Sequence, residues 1–203
     1  MKRLRTNNIN TPDHFDQEWK DPSQYRWDSV RMRALTFGVV NGNKVLDVGA
    51  GLFGACEYIS SQTNLKCELH CVDFSSTAHD IVVKKCPEIN FKIGRIEELD
   101  YPDDSFDCVI CGEVIEHMED PEGLVKELAR VCKPGGLISL GTVDTNCSNA
   151  RKLEYPEHLW EFTPDDLIGF FKPFGNTQYT TVGDYHFIYC KKHASISTII
   201  PKA

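Results

Sequence analysis

From Lys44 to Leu140 the chain repeats one pattern: a short apolar run, ended by Gly or Asp, followed by a stretch of helical character. The runs are Lys44 to Val48, Glu68 to Val72, Asn90 to Ile93, Phe106 to Cys111 and Gly136 to Leu140. Short apolar runs that alternate with helices are the pattern of repeated βαβ units, in which each crossover returns the chain so that the next strand runs parallel. The pattern predicts five parallel strands in an α/β fold. Helices are expected at Gly54 to Ser61, Ser76 to Lys85 and Pro121 to Cys132, the last closed by Lys133-Pro134-Gly135-Gly136.

The flanks obey different rules. Residues 1 to about 22 are polar and broken by Pro12 and Pro22, and Ser23 to Val40 spaces its apolar residues as a lead-in helix would. Thr163 before Pro164 and the Asp165-Asp166 pair is an N-cap with Pro at the first helical position, opening a helix to about Phe171. Gln178 to Val182 and Tyr185 to Lys191 alternate around Gly183-Asp184, which predicts a closing antiparallel hairpin. A length of 203 residues suits one domain, divided into a lead-in (1–40), a cofactor-binding half (41–141) and a substrate-side insert, helix and hairpin (142–203).

Composition narrows the function classes. A net charge of -8 counts against a protein that grips nucleic acid by neutralising phosphates. No run of about 18 apolar residues occurs, and the basic start, Met1 to Thr6, lacks a signal peptide's apolar stretch, so no membrane span and a cytoplasmic location are expected. Nine cysteines, an odd number, read as reduced thiols rather than a disulfide framework. Cys108 and Cys111 have CxxC spacing, yet on a strand residues three apart point to opposite faces, which spoils a metal or redox pair.

The first strand runs into Asp47-Val48-Gly49-Ala50-Gly51-Leu52-Phe53-Gly54. Its glycines let the backbone turn sharply and approach a ligand, and the next helix begins with N–H groups suited to an anion. Asp73 closes the second strand, where it would accept hydrogen bonds from both hydroxyls of a ribose. Nicotinamide-binding and S-adenosylmethionine-binding domains share these features. Other motifs separate the two. Asp47 stands two positions before the first glycine, Gly94 to Asp107 ends in Tyr101-Pro102-Asp103-Asp104-Ser105-Phe106-Asp107, and Gly112-Glu113-Val114-Ile115-Glu116-His117 and Leu128 to Gly136 follow. In that order they resemble the class I S-adenosylmethionine-dependent methyltransferases, in the methyltransferase type 11 branch that contains the ubiquinone-biosynthesis O-methyltransferases.

The resemblance implies a Rossmann-like fold, a central, mostly parallel seven-stranded sheet with an antiparallel C-terminal hairpin and helices on both faces. It also implies S-adenosylmethionine as cofactor. Gly49 and Gly51 would lie beneath its methionine part, Asp73 would hold the ribose, Ile96 would lie near the adenine and Glu113 near the methionine end and the acceptor. Asp47, Ala50, Phe74, Arg95 and Gly112 complete the expected donor site. Two departures stand out: Gly54 is one place later than usual, and Arg95 replaces an acidic residue that often contacts the adenine amine.

Glu113, Glu116 and His117 are spaced i, i+3, i+4, which puts them on one face if the segment is helical, and His158 is a candidate fourth ligand for a divalent metal. The resemblance here extends to terminal RNA ribose methyltransferases. Oxygen ligands would suit magnesium, and imidazoles manganese, iron or zinc. The alternative is a metal-free site in which the histidine accepts a proton and Glu116 caps a helix. Methyl transfer is an in-line displacement. An oxygen nucleophile needs a base or metal, for which His117, Glu113 and His158 are the candidates, whereas an amine needs little more than orientation. The expectation is a small-molecule methyltransferase with an oxygen acceptor slightly favoured. RNA ribose methylation and a cofactor-binding module without turnover are the alternatives. Phe15, Trp19, Tyr25, Trp27, Tyr155 and Trp160 are candidate pocket walls, with ordinary packing as the competing role.

Overall fold

The computed structural model describes residues 1–21, 23, 29–144 and 156–194. Nine strands and six helices follow along these residues: β1 (Lys2–Arg3), α1 (Pro12–Glu18), α2 (Ser29–Leu35), β2 (Lys44–Val48), α3 (Ala55–Gln62), β3 (Glu68–Asp73), α4 (Ser76–Lys85), β4 (Asn90–Ile93), β5 (Phe106–Gly112), α5 (Pro121–Val131), β6 (Cys132–Val143), β7 (Trp160–Glu161), α6 (Pro164–Phe171), β8 (Gly175–Val182) and β9 (Tyr185–Lys192). Seven strands form one sheet in the order β4-β3-β2-β5-β6-β9-β8. The first five are parallel and the last two antiparallel, as the sequence pattern predicts. The short β1 and β7 pair antiparallel, apart from that sheet.

Each strand divides its side chains between two cores. Leu46, Val48, Val109 and Cys111 face α5 and α6, packing on Leu124, Leu128, Leu167 and Phe171. Val45, Cys108 and Ile110 face the opposite way, toward Leu35, Ile59 and Val82. Cys108 and Cys111 therefore lie in different cores, which is what period-two alternation requires. Helix α5 shows the matching pattern: Leu124, Val125, Leu128, Ala129 and Val131 are buried along one face, and Asp120 caps its start by accepting from the Gly123 N–H.

Several boundaries differ from expectation, most of them by one residue. Gly54 is the cap of α3 and not its first residue, because Asp47 and Ala50 press against it: a Cβ there would lie 2.6 Å from the Asp47 carboxylate and from the Ala50 carbonyl. Lys133 to Gly136 fall within β6, as a bulge that has no partner in β5. Phe106 of β5 pairs with Cys132, and the register shifts before Cys108 meets Leu137. The hairpin begins earlier than alternation suggests, at Gly175, which packs directly against the Lys191 backbone. Among the described residues no helix is long and apolar enough to cross a membrane. Tyr25, Trp27, Tyr155 and part of the expected lead-in helix lie outside the described residues.

Strand order reverses at β2, with β3 and β4 on one side and β5 and β6 on the other. The crevice above such a switch point, at the carboxyl ends of parallel strands, is where ligands bind in open α/β sheets. Gly49 to Gly54 leave β2 there, Asp73 ends β3, and Gly112 ends β5.

Candidate active site

The turn after β2 needs its glycines. Gly49 and Gly51 have φ of 69° and 49°, in the left-handed region. A Cβ on Gly49 would come within 2.4 Å of Val114, and one on Gly51 within 2.9 Å of the Trp19 ring. Gly49 and Ala50 both donate to the Val72 carbonyl, at 2.8 and 3.2 Å, which ties the turn to β3.

The amides beyond the turn are occupied by protein carboxylates. Asp47 Oδ2 accepts from Cys56 N at 3.0 Å, and Glu57 Oε2 accepts from Phe53 N at 3.0 Å. The start of α3 is therefore not an anion site, although a glycine-rich turn ahead of a helix often makes one. Asp47 is buried, and that burial pushes its pKa up to about 7. Asp73 is 6% exposed; its Oδ2 accepts from Gly51 N and its Oδ1 from Ser75 N, both at 2.9 Å. Burial raises its pKa too, against those backbone hydrogen bonds.

Two cavities meet above this turn, of about 410 and 370 Å³. Both are lined by Phe15, Trp19, Gly49, Glu113 and His117. The smaller extends past Asp73 and Phe74 to Arg95 and Ile96. Arg95 is 78% exposed and bonds Glu97 at 2.8 Å. The larger takes in Asp47, Ala50, Gly112, Arg31, Glu157 and His158. Every donor-site residue expected from the sequence thus borders one cavity or both, save Gly51, which lies under the Trp19 ring and is held by Asp73.

The segment after β5 is not the helix that would put three ligands on one face. Glu113 has φ of 56°, a conformation rare outside glycine and costly enough to mark a constrained site. Only Ile115–His117 form a 3₁₀ turn. The backbone reversal separates Glu113 from the other two: its carboxylate pairs with Arg31 of α2, while Glu116, His117 and His158 come together with their ligand atoms within 4.8 Å of one another.

Glu116 is fully buried, and neither of its carboxylate oxygens has a hydrogen-bond partner among the described residues. A charge in that condition is expensive unless something compensates it. His117 Nδ1 lies 3.1 Å from the Glu157 carbonyl, which can only accept, so Nδ1 is the donor and, in the neutral tautomer, Nε2 is the acceptor. Burial depresses the His158 pKa, with Glu116 partly opposing it, so this ring is neutral near pH 7. The two imidazoles meet edge to face at 4.9 Å.

Sequence reasoning missed Arg31, a single cation on a short helix with no motif around it, and it missed Glu157. It named Phe15 and Trp19 without choosing between wall and packing; both line the cavities. Trp160 instead packs against the α5–α6 core and donates to the Met118 carbonyl at 2.8 Å.

Residues 46–140 match the family model described as a methyltransferase domain. The chain is 31% identical over 122 residues to norajmaline N-methyltransferase of Rauvolfia serpentina, covering 56% of this chain and 40% of that enzyme. It is 26% identical over 181 residues to the ubiquinone biosynthesis O-methyltransferase of Coxiella burnetii, covering 82% of this chain and 76% of that one. It spans less than half the length of the first relative and about three quarters of the second. Among solved structures, phosphoethanolamine N-methyltransferase 2 of Haemonchus contortus, in complex with S-adenosyl-L-methionine, superposes with a TM-score of 0.70 at 17% identity, covering 90% of this chain and 57% of that one.

Proposed function

We propose that the protein is a class I methyltransferase that transfers a methyl group from S-adenosylmethionine to a small acceptor molecule, a reading supported by the match of residues 46–140 to the methyltransferase domain model. The observation that carries this reading is the glycine turn whose flanking amides are already held by Asp47 and Glu57. A dinucleotide's pyrophosphate would need such amides, whereas a sulfonium nucleoside needs a close backbone and a carboxylate for its ribose.

When bound, S-adenosylmethionine supplies a methyl carbon activated by the positive sulfur. The chain's residues bind and align it. Asp73 retains lone pairs for the ribose hydroxyls, and Phe74 and Ile96 give an apolar wall to the nucleoside cavity. Arg31 and Glu113, already paired with each other, present opposite charges suited to the carboxylate and ammonium of the amino-acid end. Trp19 and Phe15 cover the junction of the two cavities and exclude water from it. On the acceptor side, His117 Nε2 and neutral His158 are placed to take a proton from a hydroxyl as the oxygen attacks, with Glu116 stabilising the imidazolium. That arrangement favours an oxygen acceptor, since an amine would not require it. Cytoplasmic residence is part of the same reading, on the ground that all eight described cysteines are free thiols.

A divalent metal at Glu116, His117 and His158 is a second reading, favoured by the buried carboxylate with two unpartnered oxygens beside two imidazoles. The donor set of two nitrogens and a carboxylate fits zinc, manganese or iron better than magnesium. Such an ion would polarise the acceptor oxygen. Glu113 is outside this group.

The test of the donor assignment is thermal stabilisation. S-adenosylmethionine and S-adenosylhomocysteine should each raise the unfolding midpoint, and NAD and NADP should leave it in place, because only a ligand that prefers the native state shifts it. A midpoint indifferent to the first two ligands would overturn the assignment.

A further inference from the structure

Helix α1 lies over the cleft, yet none of its residues is buried. It is held in place by polar ties at both ends of the site. Asp16 accepts from Ser75 Oγ at 2.5 Å, Ser76 Oγ at 3.0 Å and Thr77 N at 2.9 Å, all at the start of α4. Toward the acceptor side, the Asn10 amide donates to the His117 and Glu157 carbonyls at 3.0 and 2.9 Å, and His14 Nε2 lies 3.0 Å from Glu157. Between these ties Phe15 packs on Phe74 and His117, with ring centroids 5.5 and 5.9 Å away, and Trp19 lies over Gly51.

Asp16 belongs to a continuous chain of hydrogen bonds. Ser75 Oγ donates to Asp16 while Ser75 N donates to Asp73 Oδ1, and Asp73 Oδ2 receives Gly51 N. One carboxylate on the covering helix thereby fixes the serine that fixes the proposed ribose acceptor, which in turn fixes the glycine turn. The hydrogen bonds at Asp16 hold its carboxyl below the usual range, so the tie persists through the neutral pH range.

We propose that Asp16 is a positioning residue for donor binding: it latches α1 over the cleft and orients Asp73 through Ser75, so that cofactor exchange requires this latch to open. The inference rests on the donor reading above. Because α1 contributes no buried side chain to either core, releasing it loosens a low-stability element and leaves the domain folded.

The full chain, wild type and variants, is titrated with S-adenosylhomocysteine by calorimetry, and backbone hydrogen exchange is followed with and without that ligand. Asp16→Ala should weaken binding roughly tenfold or more. It should also abolish ligand-induced protection of residues 8–19 while the sheet keeps its protection. Asp16→Asn, which keeps an acceptor oxygen, should fall between. Asp13→Ala, which removes the same charge from the exposed first turn of α1, should match wild type. Equal affinity and equal protection in Asp16→Ala and wild type would overturn the latch while leaving the donor reading intact. A loss of protection spread across the whole sheet would also overturn it, by making Asp16 a general stability residue. If wild type itself does not bind, the donor reading fails and the latch with it.

Discussion

Asp47 and Glu116 are both buried carboxylates, one under the proposed donor half of the cleft and one under the proposed acceptor half, and their surroundings differ. Asp47 sits mid-sheet in β2, opposite Cys71 and Ile110, and accepts from the head of α3. Glu116 sits in a 3₁₀ turn, where its carbonyl accepts from Leu159 N at 2.8 Å, and neither of its carboxylate oxygens is bonded among the described residues. The two aspartates of the proposed donor half, Asp47 and Asp73, lie on adjacent parallel strands and accept from nearby backbone amides before any ligand arrives. The proposed acceptor half draws on segments far apart in sequence and keeps a buried carboxyl group without a hydrogen-bond partner among the described residues. Unsatisfied buried charge is destabilising, and such charge concentrates where chemistry uses it.

The contrast breaks if disabling one half disturbs the other. The largest effect is expected from Glu116→Gln, which keeps the shape of the side chain and removes its charge. Turnover should fall about 10² to 10⁴-fold, the range of a general acid–base contribution. Affinity for S-adenosylhomocysteine should not change, and any metal measured per chain by elemental analysis should drop. Wild-type turnover in this variant, with the protein stripped of metal, would remove Glu116 from both acceptor-side readings.

Asp73→Ala should have the next largest effect, on the other half. Two hydrogen bonds to a charged group contribute about 3 kcal/mol or more together, so donor affinity should fall about a hundredfold. Calorimetry measures it directly, and undiminished affinity would remove the ribose assignment. The smallest effect is on stability. A carboxyl whose native pKa is about 7, raised from 3.8, contributes stability below about pH 4 that is lost as pH rises through 7. Asp47→Asn should therefore raise the midpoint relative to wild type by a few degrees or more at pH 8 and by little at about pH 4. Equal midpoints for the two proteins at both pH values would show that Asp47 is not held protonated by burial.

The sheet was legible because parallel strands buried on both faces write themselves as apolar runs, and the expected helix Ser76 to Lys85 coincides with α4, which Ser75 caps. The donor turn was legible for the same local reason: Gly49 and Gly51 need left-handed φ that few other residues adopt cheaply. Lys133 to Gly136 were read correctly as the stop of α5, which ends at Val131, but not as the bulged start of β6, where Cys132 pairs with Phe106 and Leu137 with Cys108. Glu113 misled more seriously. Helical spacing predicted three ligands on one face, but the chain turns through a positive φ at Glu113, whose amide is held by the Gly141 carbonyl and whose carboxylate meets Arg31.

The amino-acid pattern alone determined the order of strands and helices, the place of the glycine turn and the aspartate beside it, because each depends on side-chain period, backbone freedom or capping within a few residues. Tertiary structure alone decided that Glu116, His117 and His158 converge without Glu113, that Arg31 enters the cleft and that Asp16 fastens the N-terminal helix to α4. Those relations join residues tens of positions apart. They are set by which surfaces the sheet brings together, a quantity that no local period records.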